Sequence, residues 1–479
     1  MGAKSAPKRS GESMRVIVCG AGQVGSTIAR HLASERVDVT VIDSDPAQAQ
    51  RVDESYDVQG IVGHASHPEV LERAGAANAD MLIAVTRFDE VNMVACEVAH
   101  SLFKVKRRIA RVRHEGYLNP QIATLFGADR LAIDVVISPE YEVAQGIARR
   151  LAAPGAFDSA MLAHSAVQLL GVHCNVARSP AIGRRVSELA SLAPGAMLTP
   201  LAIIRGGSGF IPDENDRIEL GDDLYVLVDP QRARDLIGLL GHTDSVARRV
   251  LIIGAGNVGL NLARNLALTS PSVSMRIVEA SRPRAEYVSR LLGEAAIVLH
   301  GDALDRDMLI EANASVADAV VTVTNDDETN IFSAVLAKRA GSRRAIALVT
   351  KTSYEAVLET LNIDVVVNPN AITISTLLRQ LRPRSIAGVY ALREDLGEII
   401  DAVAQPGSAL VAAPLRDVQT PEGMLIGAVV RGRRMIAVTG DLQIEPNDRV
   451  IALVNSAALA DSEALLAGDN GDETQDYEA

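Results

Sequence analysis

RVIVCGAGQVG, at residues 15–25, is the stretch that decides the fold, and residues 249–259, RVLIIGAGNVG, write it a second time. In each copy a β-branched run leads into Gly-x-Gly-x-x-Gly and then into apolar residues at helical spacing. The glycines are Gly20, Gly22 and Gly25 in the first copy and Gly254, Gly256 and Gly259 in the second. The apolar run reads as a strand. The first glycine permits a tight turn at its end, the second lets backbone approach a pyrophosphate, and the third lets helix pack on strand. Free N–H groups and the positive end of the helix dipole then face the phosphates. One such motif alone commonly marks an unliganded Rossmann-like domain. Two copies, each in a strand–turn–helix context, point to dinucleotide binding.

Each next strand ends on an acid. Residues 37–43 (VDVTVID) stop at Asp43, and residues 273–279 (VSMRIVE) stop at Glu279. Each carboxylate lies about twenty residues past its glycine turn, where it would grip a ribose 2′-hydroxyl and repel a 2′-phosphate, favouring NAD(H) over NADP(H). The competing reading is a solvated acid at a strand end.

Length and composition agree with this. A chain of 479 residues suggests about three or four domains. Hydrophobic residues make up 48% but aromatics only 3%, with no Trp, so the cores are aliphatic, as in parallel sheets. The net charge of −13 disfavours nucleic acid and direct binding to an anionic lipid surface. No apolar run approaches the ~20 residues needed to span a bilayer, so a soluble chain without membrane insertion is expected. Cys19, Cys96 and Cys174 are odd in number and widely spaced, which fits buried thiols in a reducing cytosol. Residues 1–13 lack the apolar region of a signal peptide and read as a disordered leader, with Met14 a candidate natural start. Residues 466–479 read as a disordered acidic tail.

Between these ends, strands are expected at 15–19, 37–43, 58–62, 81–86, 108–112 and 131–137, alternating with helices at 23–35, from Pro46, from Pro68 and at 89–103. That alternation predicts a doubly wound parallel sheet. A helix from Pro139 runs to Pro154-Gly155, and residues 162–242 then read as a small α+β domain with a helical segment at 183–192. The whole pattern repeats: GHAS at 63–66 answers to GDAL at 301–304, and MLIAVTRFDEVN at 81–92 to AVVTVTNDDETN at 319–330. The fold class is therefore α/β, a tandem duplication of a Rossmann-like sheet followed by a small α+β lobe. Helices from Pro139 and Pro369 carry apolar stripes (Val143, Ile147, Leu151; Ile372, Leu377, Leu381) that suit either an oligomer interface or a crossover packed within one chain.

Other chemistry is sparse. Thr86 and Thr324 end the fourth strand of their copies, where a hydroxyl meets ribose or phosphate, or else caps the next helix. Asp89-Glu90 and Asp327-Glu328 read as charges on a helix dipole. Arg111 lies near enough to the sheet's carboxyl edge to meet a phosphate, with a surface ion pair as the alternative. His64 and His67, without carboxylate or Cys company, do not make a metal site. A dehydrogenase would need an acid or base aimed at the nicotinamide. The first small domain offers His164 and His173 in strand-like stretches and the second no His, so the copies share no such group. No P-loop is present.

MRVIVCGAGQVG, VIDSD, GHASHPEVLERAGAANADMLIAVT and DEVNMVACEVA, with AVVTVTNDDETNIFSAVLAKRAG in the second half, resemble the TrkA family of cytosolic regulatory subunits of bacterial Trk potassium uptake systems. The resemblance runs from residue 14 to about residue 465. It implies two RCK (regulating potassium conductance) units: N-lobes at 14–138 and 248–368, and crossover helix plus C-lobe at 139–242 and 369–465. It also implies NAD(H) as ligand, with ATP and ADP as further candidates, and a homo-oligomer, a tetramer, on the cytoplasmic face of the membrane beneath a TrkH or TrkG channel subunit. Carried over by position, the first site comprises Gly20, Ala21, Gly22, Gln23, Val24 and Gly25, then Asp43, Thr86, Arg87 and Arg111. The second comprises Gly254, Ala255, Gly256, Asn257, Val258 and Gly259, then Glu279 and Thr324, with Asn325 where the first has Arg87. The expectation is a non-enzymatic, nucleotide-sensing gate for a potassium channel. An NAD-dependent oxidoreductase and a scaffold with empty sites are the alternatives.

Overall fold

The computed structural model describes residues 14–467 apart from 35–36, 119–122, 128–129, 193–194, 196, 244, 352–353, 355–357, 371, 374–375, 378–385, 393–395 and 456. The leader expected at 1–13, residues 468–479 of the tail expected at 466–479 and Leu381 lie outside the described residues. The tail's first two residues are not disordered but end a helix, Leu459–Ala467, with Leu466 buried. The chain forms two compact units, one ending at Glu140 and the other beginning at Tyr141.

In the first unit, β1 (Arg15–Cys19), α1 (Gln23–Ser34), β2 (Asp38–Asp43), α2 (Pro46–Ser55) and β3 (Gln59–Val62) form one half of a doubly wound layer. The other half is α3 (Pro68–Arg73), β4 (Met81–Ala84), α4 (Asp89–Phe103), β5 (Arg107–Arg111) and β6 (Val135–Ile137). The strands are parallel in the order β3-β2-β1-β4-β5-β6, so the order reverses between β1 and β4. Ligands of open α/β sheets lie outside the carboxyl ends of the strands at such a switch point. Val16 to Cys19 are buried, as the unbroken apolar run predicts. Pro46 opens α2, with the Asp45 carboxylate accepting the Ala47 N–H at 2.9 Å. The sixth strand is shorter than the 131–137 expected.

The second unit starts with α5 (Pro139–Ala152), whose first two residues still belong to the first. The small domain follows: β7 (Ala156–Leu162), β8 (Val167–His173), α6 (Leu189–Leu192), β9 (Leu198–Arg205), β10 (Ser208–Phe210), β11 (Asp223–Val228) and α7 (Ala233–Leu239). Its sheet is antiparallel, in the order β10-β9-β11-β8-β7. Residues 183–192 are not one helix. Gly183 takes a left-handed φ of 78°, Arg185 is extended and bridges Arg217, and only α6 is helical after a short turn. His164 stands in a turn of left-handed residues between β7 and β8, not in a strand.

The second Rossmann-like layer is β12 (Arg249–Ile253), α8 (Asn257–Thr269), β13 (Ser274–Glu279), α9 (Arg282–Leu292), β14 (Ala296–His300), α10 (Arg306–Glu311), β15 (Ala319–Thr322), α11 (Asp327–Ala340), β16 (Ala345–Leu348) and β17 (Val365–Val367). Its parallel order, β14-β13-β12-β15-β16-β17, repeats the first sheet. The last antiparallel sheet, from β18 (Ile386–Ala391), β19 (Glu398–Val403), β20 (Met424–Arg431), β21 (Arg434–Ile436) and β22 (Arg449–Val454), repeats the order of the small domain.

The apolar stripe of α5 is covered within the chain. Val143, Ala144, Ile147 and Leu151 share one core with Val250, Ile252, Leu260, Leu266 and Val321 of the second Rossmann-like layer. Ile372 packs on the same core and Leu377 is buried, so the described residues of both stripes are covered within the chain. The Arg344 guanidinium donates to the carbonyls of Arg150 and Ala156, tying the end of α5 to that layer. The two antiparallel sheets also share a core, in which Leu169, Leu201 and Leu227 meet Ile399, Ala428 and Leu453. Where α5 and these sheets join, the buried Arg150 guanidinium pairs with Asp158, which also accepts the Tyr390 hydroxyl at 2.7 Å.

Candidate nucleotide-binding sites

The three glycines of each turn do different work. Gly20 and Gly254 have left-handed φ values of 106° and 99°, and a Cβ on either would press on the backbone at Thr86 or Thr324, about 3 Å away. A Cβ on Gly25 would stand 1.8 Å from the Gly20 carbonyl oxygen, and one on Gly259 2.0 Å from that of Gly254. Those two allow α1 and α8 to begin against the strand. At Gly22 and Gly256 a Cβ would meet nothing within 4 Å. The middle glycine of each turn thus fronts open space, at the helix N-terminus where N–H groups favour an anion.

The strand-end acids close on these turns. Asp43 accepts the Ala21 N–H at 2.6 Å with one oxygen and the Asp45 N–H at 2.8 Å with the other. Glu279 does the same for Ala255 at 2.7 Å and Ser281 at 2.8 Å. The structure therefore brings Asp43 to Gly20–Gly25 and Glu279 to Gly254–Gly259. A carboxylate has lone pairs beyond these two bonds for a further donor such as a ribose hydroxyl.

Thr86 and Thr324 follow the strands across the switch point, and a residue the motif reading missed holds each. Asn92 is fully buried. Its Oδ1 accepts the Thr86 N–H at 2.9 Å and the Thr86 hydroxyl at 2.7 Å, while its amide donates to the carbonyls of Thr86 and Arg111. Asn330 repeats this with Thr324 and the Leu348 carbonyl. Neither threonine caps the following helix: the N-cap positions are Phe88 and Asp326. The signal was present in sequence as the shared Asn ending DEVN and DETN.

Asp89 and Asp327 depart from the dipole-charge reading. Asp89 is buried and accepts the N–H groups of Arg113 and His114, and Asp327 those of Thr350 and Lys351. Each locks the loop after its fifth strand to the start of α4 or α11. Glu328 instead meets Lys351 and the Tyr354 hydroxyl, which hold its carboxyl down at about 2.

Arg111, at the end of β5, pairs with Glu140 at 3.0 Å. Burial lowers the pKa of its guanidinium, and the Glu140 carboxylate opposes that shift. Arg87 is exposed, its guanidinium 5.4 Å from the Phe88 ring. The rings of His64 and His67 lie 4.8 Å apart, and no group of three His, Cys, Asp or Glu among the described residues could hold a metal. Cys19, directly before Gly20, is fully buried, which pushes its thiol up to about 12.

The two copies differ around the turn carbonyl. Ala21 C=O accepts the Ser26 hydroxyl at 2.7 Å. The second copy has Leu260 in place of that serine, and Ala255 C=O accepts instead from Arg284 Nε of α9, also at 2.7 Å.

The TrkA-N domain family matches residues 16–139 and 250–369, and the TrkA-C domain family matches residues 399–467. The Trk system potassium uptake protein TrkA of Azorhizobium caulinodans is 42% identical over 448 residues, covering 94% of this chain and 96% of that protein. The Vibrio alginolyticus protein of the same name is 37% identical over 457 residues, 95% of this chain and 98% of that protein. Among solved structures, the RCK domain of GsuK superposes with a TM-score of 0.60 at 18% identity, covering 97% of this chain and 98% of that one. The GsuK channel bound to NAD superposes at 0.59 and 18% identity, covering 96% and 80%. These likenesses show the fold, a tandem pair of RCK-type N-lobes and C-lobes. Within that class, the chain belongs to the TrkA family of Trk system potassium uptake proteins.

Proposed function

We propose that each N-lobe, residues 14–138 and 248–368, binds NAD(H), and that the chain is a non-enzymatic subunit whose nucleotide occupancy gates a Trk-type membrane potassium channel. The observation that carries this is the duplicated turn: a middle glycine facing open space, with a strand-end carboxylate on the neighbouring N–H, at the switch point of both parallel sheets. Gly20 to Gly25 and Gly254 to Gly259 receive the pyrophosphate. Asp43 and Glu279 receive the ribose, Thr86 and Thr324 the edge across the switch point, and Arg87 and Arg111 add positive charge at the first site. ATP or ADP can use the same phosphate cradle. A family relationship to potassium uptake proteins and a shared fold with a channel solved with NAD support the same reading.

The C-lobes at 139–242 and 369–465 carry the change in shape to the partner. The chain works as a homo-oligomer, a tetramer, on the cytoplasmic face of the membrane, held there by the channel subunit. The exposed Phe332 and Leu304, bordering an apolar groove with Val335 and Leu361, support self-association. Ligand shifts such an equilibrium only through differential affinity for two arrangements, with coupling of about 1–3 kcal/mol.

The test is potassium flux in liposomes holding the channel subunit and this chain. Flux should depend on both protein and NADH, and Asp43→Ala or Glu279→Ala should blunt that dependence. Calorimetric titration should show Asp43→Ala weakening NADH by about 1.5–3 kcal/mol, the size of a charged hydrogen bond. NADH should emerge unoxidised from incubation with a panel of carbonyl compounds. Flux indifferent to the protein under every nucleotide condition would end the gating reading.

A further inference from the structure

Asp43 and Glu279 hold their turns in the same way, yet the residues five positions further on differ in charge: Gln48 in the first N-lobe and Arg284 in the second. Arg284 does more than stand nearby. Its Nε donates to the Ala255 carbonyl at 2.7 Å, so the residue between the first two glycines is gripped through its N–H by Glu279 and through its C=O by Arg284. Arg284 Nη2 is buried without a hydrogen-bond partner, and the guanidinium lies 5.3 Å from the Tyr287 ring. A buried, unpaired guanidinium N–H is costly and rare, and an incoming acceptor would relieve it. In the first N-lobe the turn carbonyl is served by the uncharged Ser26 hydroxyl. The nearest arginine along α2 is Arg51, one helical turn further from the acid, exposed and engaged with Gln48.

The two sites thus place different charge around the adenosine ribose. A carboxylate alone favours a free 2′-hydroxyl and repels a 2′-phosphate, whereas a neighbouring arginine accommodates that phosphate. Guanidinium recognises phosphate with charge-assisted and often paired hydrogen bonds. We infer that Arg284 is a specificity-determining residue that lets the second site accept an adenine dinucleotide carrying a 2′-phosphate, NADPH, while the first site rejects it. This rests on the N-lobes being dinucleotide sites. The asymmetry gives one chain two readings of the nucleotide pool: one site reports NADH, and the other reports NADH and NADPH together.

The test is calorimetric titration of the full chain with NADH and NADPH. The first site is silenced by Gly22→Asp, which sets a carboxylate in the open pyrophosphate cradle and leaves Asp43 in place, to read the second, and the second by Gly256→Asp to read the first. The NADPH-to-NADH ratio of dissociation constants should be at least about tenfold larger at the first site, the effect of one charged hydrogen bond. Arg284→Gln should raise the second site's ratio to match the first, while Arg284→Lys, which keeps the charge, should hold it low. Gln48→Arg should lower the ratio at the first site, a gain that misfolding cannot mimic. Equal ratios at the two wild-type sites, or a ratio unmoved by Arg284→Gln while NADH still binds, would overturn the inference and leave the dinucleotide reading standing. No NADH binding in the wild-type chain would overturn both.

Discussion

Gly22 and Gly25 separate binding from folding. Gly22 faces open space and its φ lies outside the left-handed region, so an added methyl touches nothing until a pyrophosphate arrives. Gly22→Ala should leave the midpoint of chemical denaturation within about 0.5 kcal/mol of wild type, as for a surface change, while NADH affinity in calorimetry falls at least tenfold (~1.4 kcal/mol). Gly25→Ala drives a methyl to 1.8 Å from a carbonyl oxygen and should cost about 3 kcal/mol or more of stability before any ligand is added. Asn92 behaves differently again. Removing its amide strands the buried polar groups of Thr86 and the Arg111 carbonyl, so Asn92→Ala should cost roughly 2–4 kcal/mol, given about 1–3 kcal/mol per stranded group. Urea unfolding read in parallel with NADH titration would expose both effects. At this scale the sequence was legible wherever chemistry is local: the glycines fall in strand-to-helix turns and Asp43 and Glu279 end their strands, as their spacing predicts, while the bonds of those acids to Ala21 and Ala255 are seen only in the structure. The duplication marks Asn92 and Asp89, but each bonds to backbone some 20 residues away, and a polar residue in a helical pattern gives no sign of its partner.

The elements show the same divide. Alternating strands and helices were readable from periodicity, and so was their duplication. What periodicity leaves open is which surface an apolar stripe covers. Val143, Ile147 and Leu151 read equally well as an interface between chains or within one, and they pack on a sheet whose first strand begins about a hundred residues later. The expected helix at 183–192 failed for a local reason: Gly183 needs a left-handed φ, and Arg185 is drawn into an extended bridge. Ile147 is fully buried in the core that α5 shares with the second Rossmann-like layer. Ile147→Ala should destabilise that unit by about 2–5 kcal/mol, the usual cost of an aliphatic cavity. Hydrogen exchange should place the lost protection in β12, α8 and β15 as well as in α5. Protection lost in α5 alone would show that the helix is an appendage rather than part of that core.

Across the whole second unit, Asp158 is the polar pivot. It joins Arg150 at the end of α5, with which it is buried, to the half-buried Tyr390 in the last antiparallel sheet. Breaking a buried ion pair from one side strands the other charge, so Asp158→Ala should cost about 3–5 kcal/mol. Tyr390→Phe, which removes one neutral donor, should cost about 1–3 kcal/mol. Differential scanning calorimetry on the full chain would read both. If this junction links the lobes energetically, Asp158→Ala should also broaden or split the unfolding transition, because a two-state description fails once lobes melt separately.

The place of α5 also fixes an order of events during synthesis. The helix leaves the ribosome some two hundred residues before the last strand of the sheet it covers. At the usual pace of translation that is a wait on the order of ten to forty seconds. Through that interval Val143, Ile147 and Leu151 have no permanent cover, while every residue of the first unit is already available to fold. The nascent chain is then a finished domain trailing a greasy helix, the kind of intermediate that chaperones shield. A gene cut between the halves would produce a second fragment that lacks one wall of its own core.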